Sequence, residues 1–132
     1  MATLKISDLS VGDWVQDNYG NYVKVMGIWQ GSNFNYQVDL LRDGKIGTMV
    51  PCNIHPIPIT AEILKKIGFE ESTDLFTAYH ADKVWISYDQ RSETWGVTIN
   101  FDVMPTLYVK LLHIHQLQHA LRLAGLDKEI NL

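Results

Sequence analysis

Apolar and polar positions in the first third of the chain alternate in short runs broken by turn residues, the pattern of half-buried strands. Asp13 to Asp17 alternates around Trp14 and Val15. Asp17-Asn18-Tyr19-Gly20-Asn21 follows as a turn, because Asn and Gly tolerate the left-handed conformation. Tyr22 to Trp29 is the next strand, dense in Val, Ile and aromatics. Gln30-Gly31-Ser32-Asn33 forms a second turn, and Phe34 to Leu41 continues the meander. Arg42-Asp43-Gly44-Lys45 carries the Asp-Gly pair of a tight hairpin and leads into Ile46 to Val50. Four short strands at this spacing predict a strongly bent meander or small barrel. The opening Asp8-Leu9-Ser10-Val11-Gly12-Asp13-Trp14-Val15 looks like the first strand of an SH3-like barrel.

The period then changes. Pro56 and Pro58 lack an amide donor and push their predecessors toward extended geometry, so Pro51 to Pro58 reads as a rigid connector. Thr60 is a good N-cap, Glu62 suits the first turn of a helix, and Gly68 is a natural C′ residue. The spacing predicts a short helix over Thr60 to Ile67. Leu75 to Tyr79, Val84 to Tyr88 and Trp95 to Ile99 read as strands, with a fourth around Thr106 to Val109. Every residue of Val84-Trp85-Ile86-Ser87-Tyr88 except Ser87 is apolar or aromatic, which marks a central strand. Ile114, Leu117, Leu121 and Ala124 recur at spacings of three and four, one stripe of a terminal helix ended by Gly125 and Leu126. Ile130 and Leu132 in the tail are candidates to dock as an edge strand. The expected fold class is α+β: an N-terminal SH3-like meander, a short helix, then antiparallel strands packed by a C-terminal helix. We expect residues 1–132 to form one compact unit, with lobes over 1–59 and 60–132.

Composition narrows the function classes. Of 132 residues, 46% are hydrophobic and 20% charged, which is globular rather than disordered. The net charge of −4 lacks the footprint of a bulk nucleic-acid binder. No segment approaches a membrane span, and Met1 to Gly12 carries no signal-peptide pattern. One cysteine, Cys52, allows no intrachain disulfide and fits a reducing compartment. Fourteen aromatics (four Trp, six Tyr, four Phe) are many for this length.

Candidate chemistry is sparse. The terminal helix holds His113, His115 and His119. His115 and His119 share a face, with Gln118 beside them and Arg122 further along. Their H-x-x-x-H spacing suits a metal, but the zincin pattern needs Glu where Gln116 stands. A polar face, solvated or at a subunit contact, is one alternative; anion recognition by Arg122 with His119 is another. Cys52 has no basic neighbour and reads as structural. Glu70-Glu71, just after the predicted helix, reads as a solvated turn. The sequence holds no nucleophile elbow, phosphate-cradling loop or dinucleotide fingerprint, and implies no cofactor. Most aromatics fit core packing and cross-strand pairing. Trp29, Phe34 and Tyr36 bracket a polar turn and are candidates for a wet, shaped rim that binds a ligand or partner.

Three segments together resemble a family of small uncharacterised proteins encoded by phages, prophages and mobile elements of gut Bacteroidales. They are Asp8 to Val15, Ile57-Pro58-Ile59-Thr60-Ala61-Glu62-Ile63-Leu64-Lys65-Lys66-Ile67-Gly68-Phe69, and Ile114-His115-Gln116-Leu117-Gln118-His119-Ala120-Leu121. The resemblance implies a setting, the cytoplasm of a bacterial host, and no transferable activity. The expected function is a non-enzymatic binding or adaptor protein acting on a host or phage protein, with self-association a further expectation. One alternative is a sponge for a nucleotide-like defence signal, held between aromatic faces with Arg122, His119 or Lys24 on its phosphate. The other is a metal-dependent hydrolase built on His115 and His119.

Overall fold

The computed structural model describes residues 4–31, 35–72, 78–99, 107–126 and 130–132. The protein is α+β, and its chain divides into two compact units, Met1–Ile57 and Pro58–Leu132.

In the first unit, β1 (Trp14–Gln16), β2 (Tyr22–Gln30), β3 (Tyr36–Arg42) and β4 (Lys45–Met49) pair antiparallel in chain order. Alternation sends Val15, Val23, Val25, Val38 and Leu40 to one face, where Leu9 and Ile54 complete the core. A bulge between Val25 and Gly27 shifts the register of β2 against β3. Asp43 and Gly44 both take positive φ (50° and 76°), the backbone that a two-residue hairpin requires. After β4 a 3-10 turn, Pro51–Asn53, returns the chain to β1. There Gln16 and His55 exchange both backbone hydrogen bonds, at 2.9 and 2.8 Å. A meander, a 3-10 turn and a return to the first strand make this unit SH3-like. The return is a single bridge, and the next carbonyl, Pro56, accepts from the Gln16 side chain at 2.9 Å. The sheet therefore stays open rather than closing as a barrel.

The second unit contains α1 (Ala61–Lys66), β5 (Glu70–Ser72), β6 (Ala78–Ala81), β7 (Val84–Asp89), β8 (Thr94–Ile99), β9 (Leu107–Leu111) and α2 (Ile114–Leu123). The five strands are antiparallel in chain order, with β7 in the centre as its apolar content predicts. Thr60 Oγ1 accepts from the Ile63 amide and caps α1. Both helices end in the same motif. Phe69 N donates to Leu64 O at 2.9 Å and Gly68 N to Lys65 O; Leu126 N donates to Leu121 O at 2.9 Å and Gly125 N to Arg122 O. The glycines take φ of 104° and 75°, so each supplies the left-handed residue that this termination requires. Ile114, Leu117, Ala120 and Leu121 of α2 are buried, and the helix packs against β9.

Two expectations change. Glu70 to Ser72 is not a solvated turn but a short edge strand, pairing Glu70 with His80 and Glu71 with Tyr79. Its charges suit an edge, where exposed ladder groups otherwise invite further pairing. In the tail, Ile130 is buried, but residues 130–132 form no strand. Among the described residues, no helix is long and apolar enough to cross a membrane.

Candidate functional site

The pairing register of the second sheet decides which side chains share a face. Tyr79, Ile86, Val97 and Val109 are partners across β6 to β9, and the first three are buried. The next row points to the other face: His80 opposite Trp85, Trp85 opposite Thr98, Thr98 opposite Tyr108. His80 and Trp85 stack, with centroids 4.7 Å apart and planes 26° apart. Trp85 is 40% exposed and Tyr108 57% exposed. Tyr108 lies over Gly96, its Oη only 2.8 Å from where a Cβ would stand. Glycine at that position is what lets the ring lie down against the strand.

Charge sits at the margins of this face: Glu70 continues the row beyond His80, and Asp89 and Lys110 lie at one end. Asp89 is held below the ordinary carboxylate range by the Arg91 amide and then by the Ser92 hydroxyl, with Lys110 contributing from 4.0 Å. The face thus combines exposed rings with a polar margin.

Of the rim expected around Trp29, Phe34 and Tyr36, the structure describes Trp29 and Tyr36. Phe34, with Ser32 and Asn33, lies outside the described residues. Trp29 pairs with Gln37 and Tyr36 with Gln30, so alternation sends the two rings to opposite faces of the ladder. Trp29 Nε1 donates to Asp39 Oδ1 at 3.1 Å, and Thr48 Oγ1 donates to the same oxygen at 2.8 Å. Both Trp29 and Tyr36 are exposed.

The histidines of α2 also differ from a uniformly solvated face. His115 is only 3% exposed, while His119 is half-buried and Arg122 exposed. His113 and His115 stack at 5.8 Å, and His119 meets His115 edge-on at 5.8 Å. Burial lowers the pKa of His113 and favours its neutral ring. Gln116 Oε1 accepts from the Leu112 and His113 amides, satisfying donors at the helix start. Gln where a zincin has Glu therefore has a structural role. Among the described residues, no group of three or more His, Cys, Asp or Glu could hold a metal ion. Lys24, offered as a phosphate partner, belongs to the first unit, whereas His119 and Arg122 belong to the second.

The first unit contributes a separate feature. Asp17 is buried, and burial raises its pKa. Hydrogen bonds from the Asn21 side chain and the Asn21 and Tyr19 amides, with the Arg42 charge, outweigh burial and hold the pKa below its ordinary value. Arg42 and Lys45 edge an open cavity of about 440 Å³ floored by Val23, Leu40 and Met49. Asp17 and Asp43 also line it, so its rim carries both signs of charge.

Trp85 and Tyr108 are absent from the sequence-derived candidates, which include His80 only as a further metal ligand. The signal was the alternation within Val84 to Tyr88, which turns Trp85 away from Val84 and Ile86. Using it requires the register, and the Asp82-Lys83 turn that sets the register has Asp82 at positive φ (52°). With this geometry established, comparison with known proteins finds no match to any family model, curated protein or solved structure.

Proposed function

We propose that the protein is a non-enzymatic binding module that acts on a host or phage protein in the cytoplasm of a bacterium carrying a phage or mobile element. The observation that supports this reading is the row His80–Trp85–Thr98–Tyr108 on the second sheet, in which Trp85 and Tyr108 are exposed and His80 and Thr98 half-buried. Trp and Tyr are the residues that most often carry protein-interface energy, because a large rigid ring gains contact area at small entropic cost. The net charge of −4 favours a protein over a nucleic acid as occupant, since a phosphate backbone needs a cationic track. The segments Asp8 to Val15, Ile57 to Phe69 and Ile114 to Leu121 support the phage or mobile-element setting, in which small proteins that block host defence are common.

A photoreactive amino acid placed at position 98, between Trp85 and Tyr108, tests the reading in the host cell. The expected result is one dominant adduct with a protein other than this chain, lost on Trp85→Ala. Absence of an adduct, or an adduct indifferent to Trp85→Ala, overturns it.

A further inference from the structure

The second unit has another aromatic site, built on different residues. A cleft of about 710 Å³ is lined by Tyr79, Tyr88 and Trp95, with Thr60, Ser87 and Gln90. Tyr88 and Trp95 are cross-strand partners, so their rings share a face of the sheet. The Trp95 ring lies between Tyr88 (5.2 Å, planes 54° apart) and Tyr79 (6.0 Å, 57° apart). Tyr79 is buried, Trp95 half-buried and Tyr88 46% exposed, so aromatic surface runs from the floor of the cleft to its rim.

We infer that this cleft binds an uncharged planar heteroaromatic ring of the nucleobase class. Three features of the site support this ligand. The rings are tilted to one another, so together they offer a face to stack on and an edge to abut, which fits one flat ring. The polar lining is neutral: the Gln90 amide both donates and accepts, and the Thr60 hydroxyl retains a donor while its oxygen caps α1. That set matches the alternating donors and acceptors on the edge of a base. No lining side chain carries a formal charge at neutral pH, so a phosphate carried into the cleft would lose water without gaining a cation. The volume lies in the range of small-molecule sites. The structure thus favours a base or nucleoside over the phosphorylated signal that Arg122, His119 or Lys24 would have held. This inference does not depend on the protein-binding reading above.

The test is titration of the full chain with adenosine, guanosine, cytidine and AMP, followed by the indole N–H resonances of the four tryptophans. At least one nucleoside is expected to bind at about millimolar affinity or tighter, moving the Trp95 resonance most. AMP should bind no more tightly than adenosine. Tyr88→Ala, at the exposed rim, should weaken binding about ten-fold or more, because stacking on that ring is lost. Trp95→Phe keeps a ring for packing and should weaken it less. The proposal is overturned if no nucleoside moves the Trp95 resonance at about 10 mM. It is equally overturned if AMP binds ten-fold tighter than adenosine, or if Tyr88→Ala leaves binding unchanged.

Discussion

Gly96→Ala separates the stability of the second unit from the use of its exposed face. A Cβ at position 96 would meet Tyr108 Oη at 2.8 Å, Cε2 at 3.2 Å and Cζ at 3.3 Å. These contacts are too close, so the ring must lift. Tyr108 is 57% exposed and meets the new methyl with the far end of its side chain, so lifting costs little. Gly96 is not among the residues at positive φ, so alanine can adopt its backbone. Restricting the unfolded chain contributes about 0.4–1 kcal/mol of stability. Losing the ring's contact with the strand removes a few tens of Å² of apolar burial, of order 1 kcal/mol. The two nearly cancel, and urea unfolding should show a net change within about 1 kcal/mol. Binding responds differently. If Tyr108 anchors the partner, displacing it should cost about 2 kcal/mol, roughly 30-fold in affinity. In a Tyr108→Ala background, Gly96→Ala should have no further effect on binding. A stability loss above about 2 kcal/mol would refute a freely displaced ring. Unchanged partner capture would refute Tyr108 as an anchor.

Other expectations follow from the same geometry. Leu117→Ala removes a fully buried side chain from α2 and should cost about 3–5 kcal/mol, lowering Tm by roughly 10 °C or more in calorimetry; a loss under 1 kcal/mol would mean that the helix does not seat on the sheet. The lowered pKa of Asp17 means that its contribution is complete above the unfolded value of 3.8 and is lost as pH falls through the lower folded value. Asp17→Asn should therefore destabilise by about 1–3 kcal/mol at pH 7, with the difference shrinking in urea titrations below pH 4. His113 titrates in the opposite chemical sense but with the same pH direction. Its folded pKa lies below 6.5, so the neutral ring contributes fully above pH 6.5 and stability falls as pH drops below it. Replacing His113 with Asn should flatten that part of the pH–stability curve; an identical slope from pH 7 to 5 would show that the ring is not protonated on unfolding.

The legible parts of this chain are those that short-range chemistry sets. Thr60 as a cap, Gly68 and Gly125 as left-handed terminators, and the Asp43-Gly44 hairpin each act within a few residues, and each stands where the sequence puts it. The stripe Ile114–Leu117–Leu121 was equally readable, because one helical period carries it. What was hidden depends on partners far along the chain. Glu70-Glu71-Ser72 has no strand signature of its own and becomes a strand only because β6 offers an edge. His115 looks solvent-facing beside Gln116 and Gln118, yet it is buried next to Ile114. The placement of the aromatics depends on the same long-range register. Trp29 and Tyr36 are close in sequence but one pairing step out of phase, which reverses the face of each ring. Trp85 and Trp95 lie on neighbouring strands, but Trp85 faces Thr98 while Trp95 faces Tyr88. Trp85 joins the row with His80 and Tyr108, and Trp95 lines a cleft.

Photocrosslinking in the host cell, from position 98 and separately from position 37 beside Trp29, tests the central claim most directly. Position 98 should give a dominant adduct that Trp85→Ala and Tyr108→Ala abolish, while position 37 gives none. An adduct from position 37 alone would place recognition on the first sheet and contradict the account.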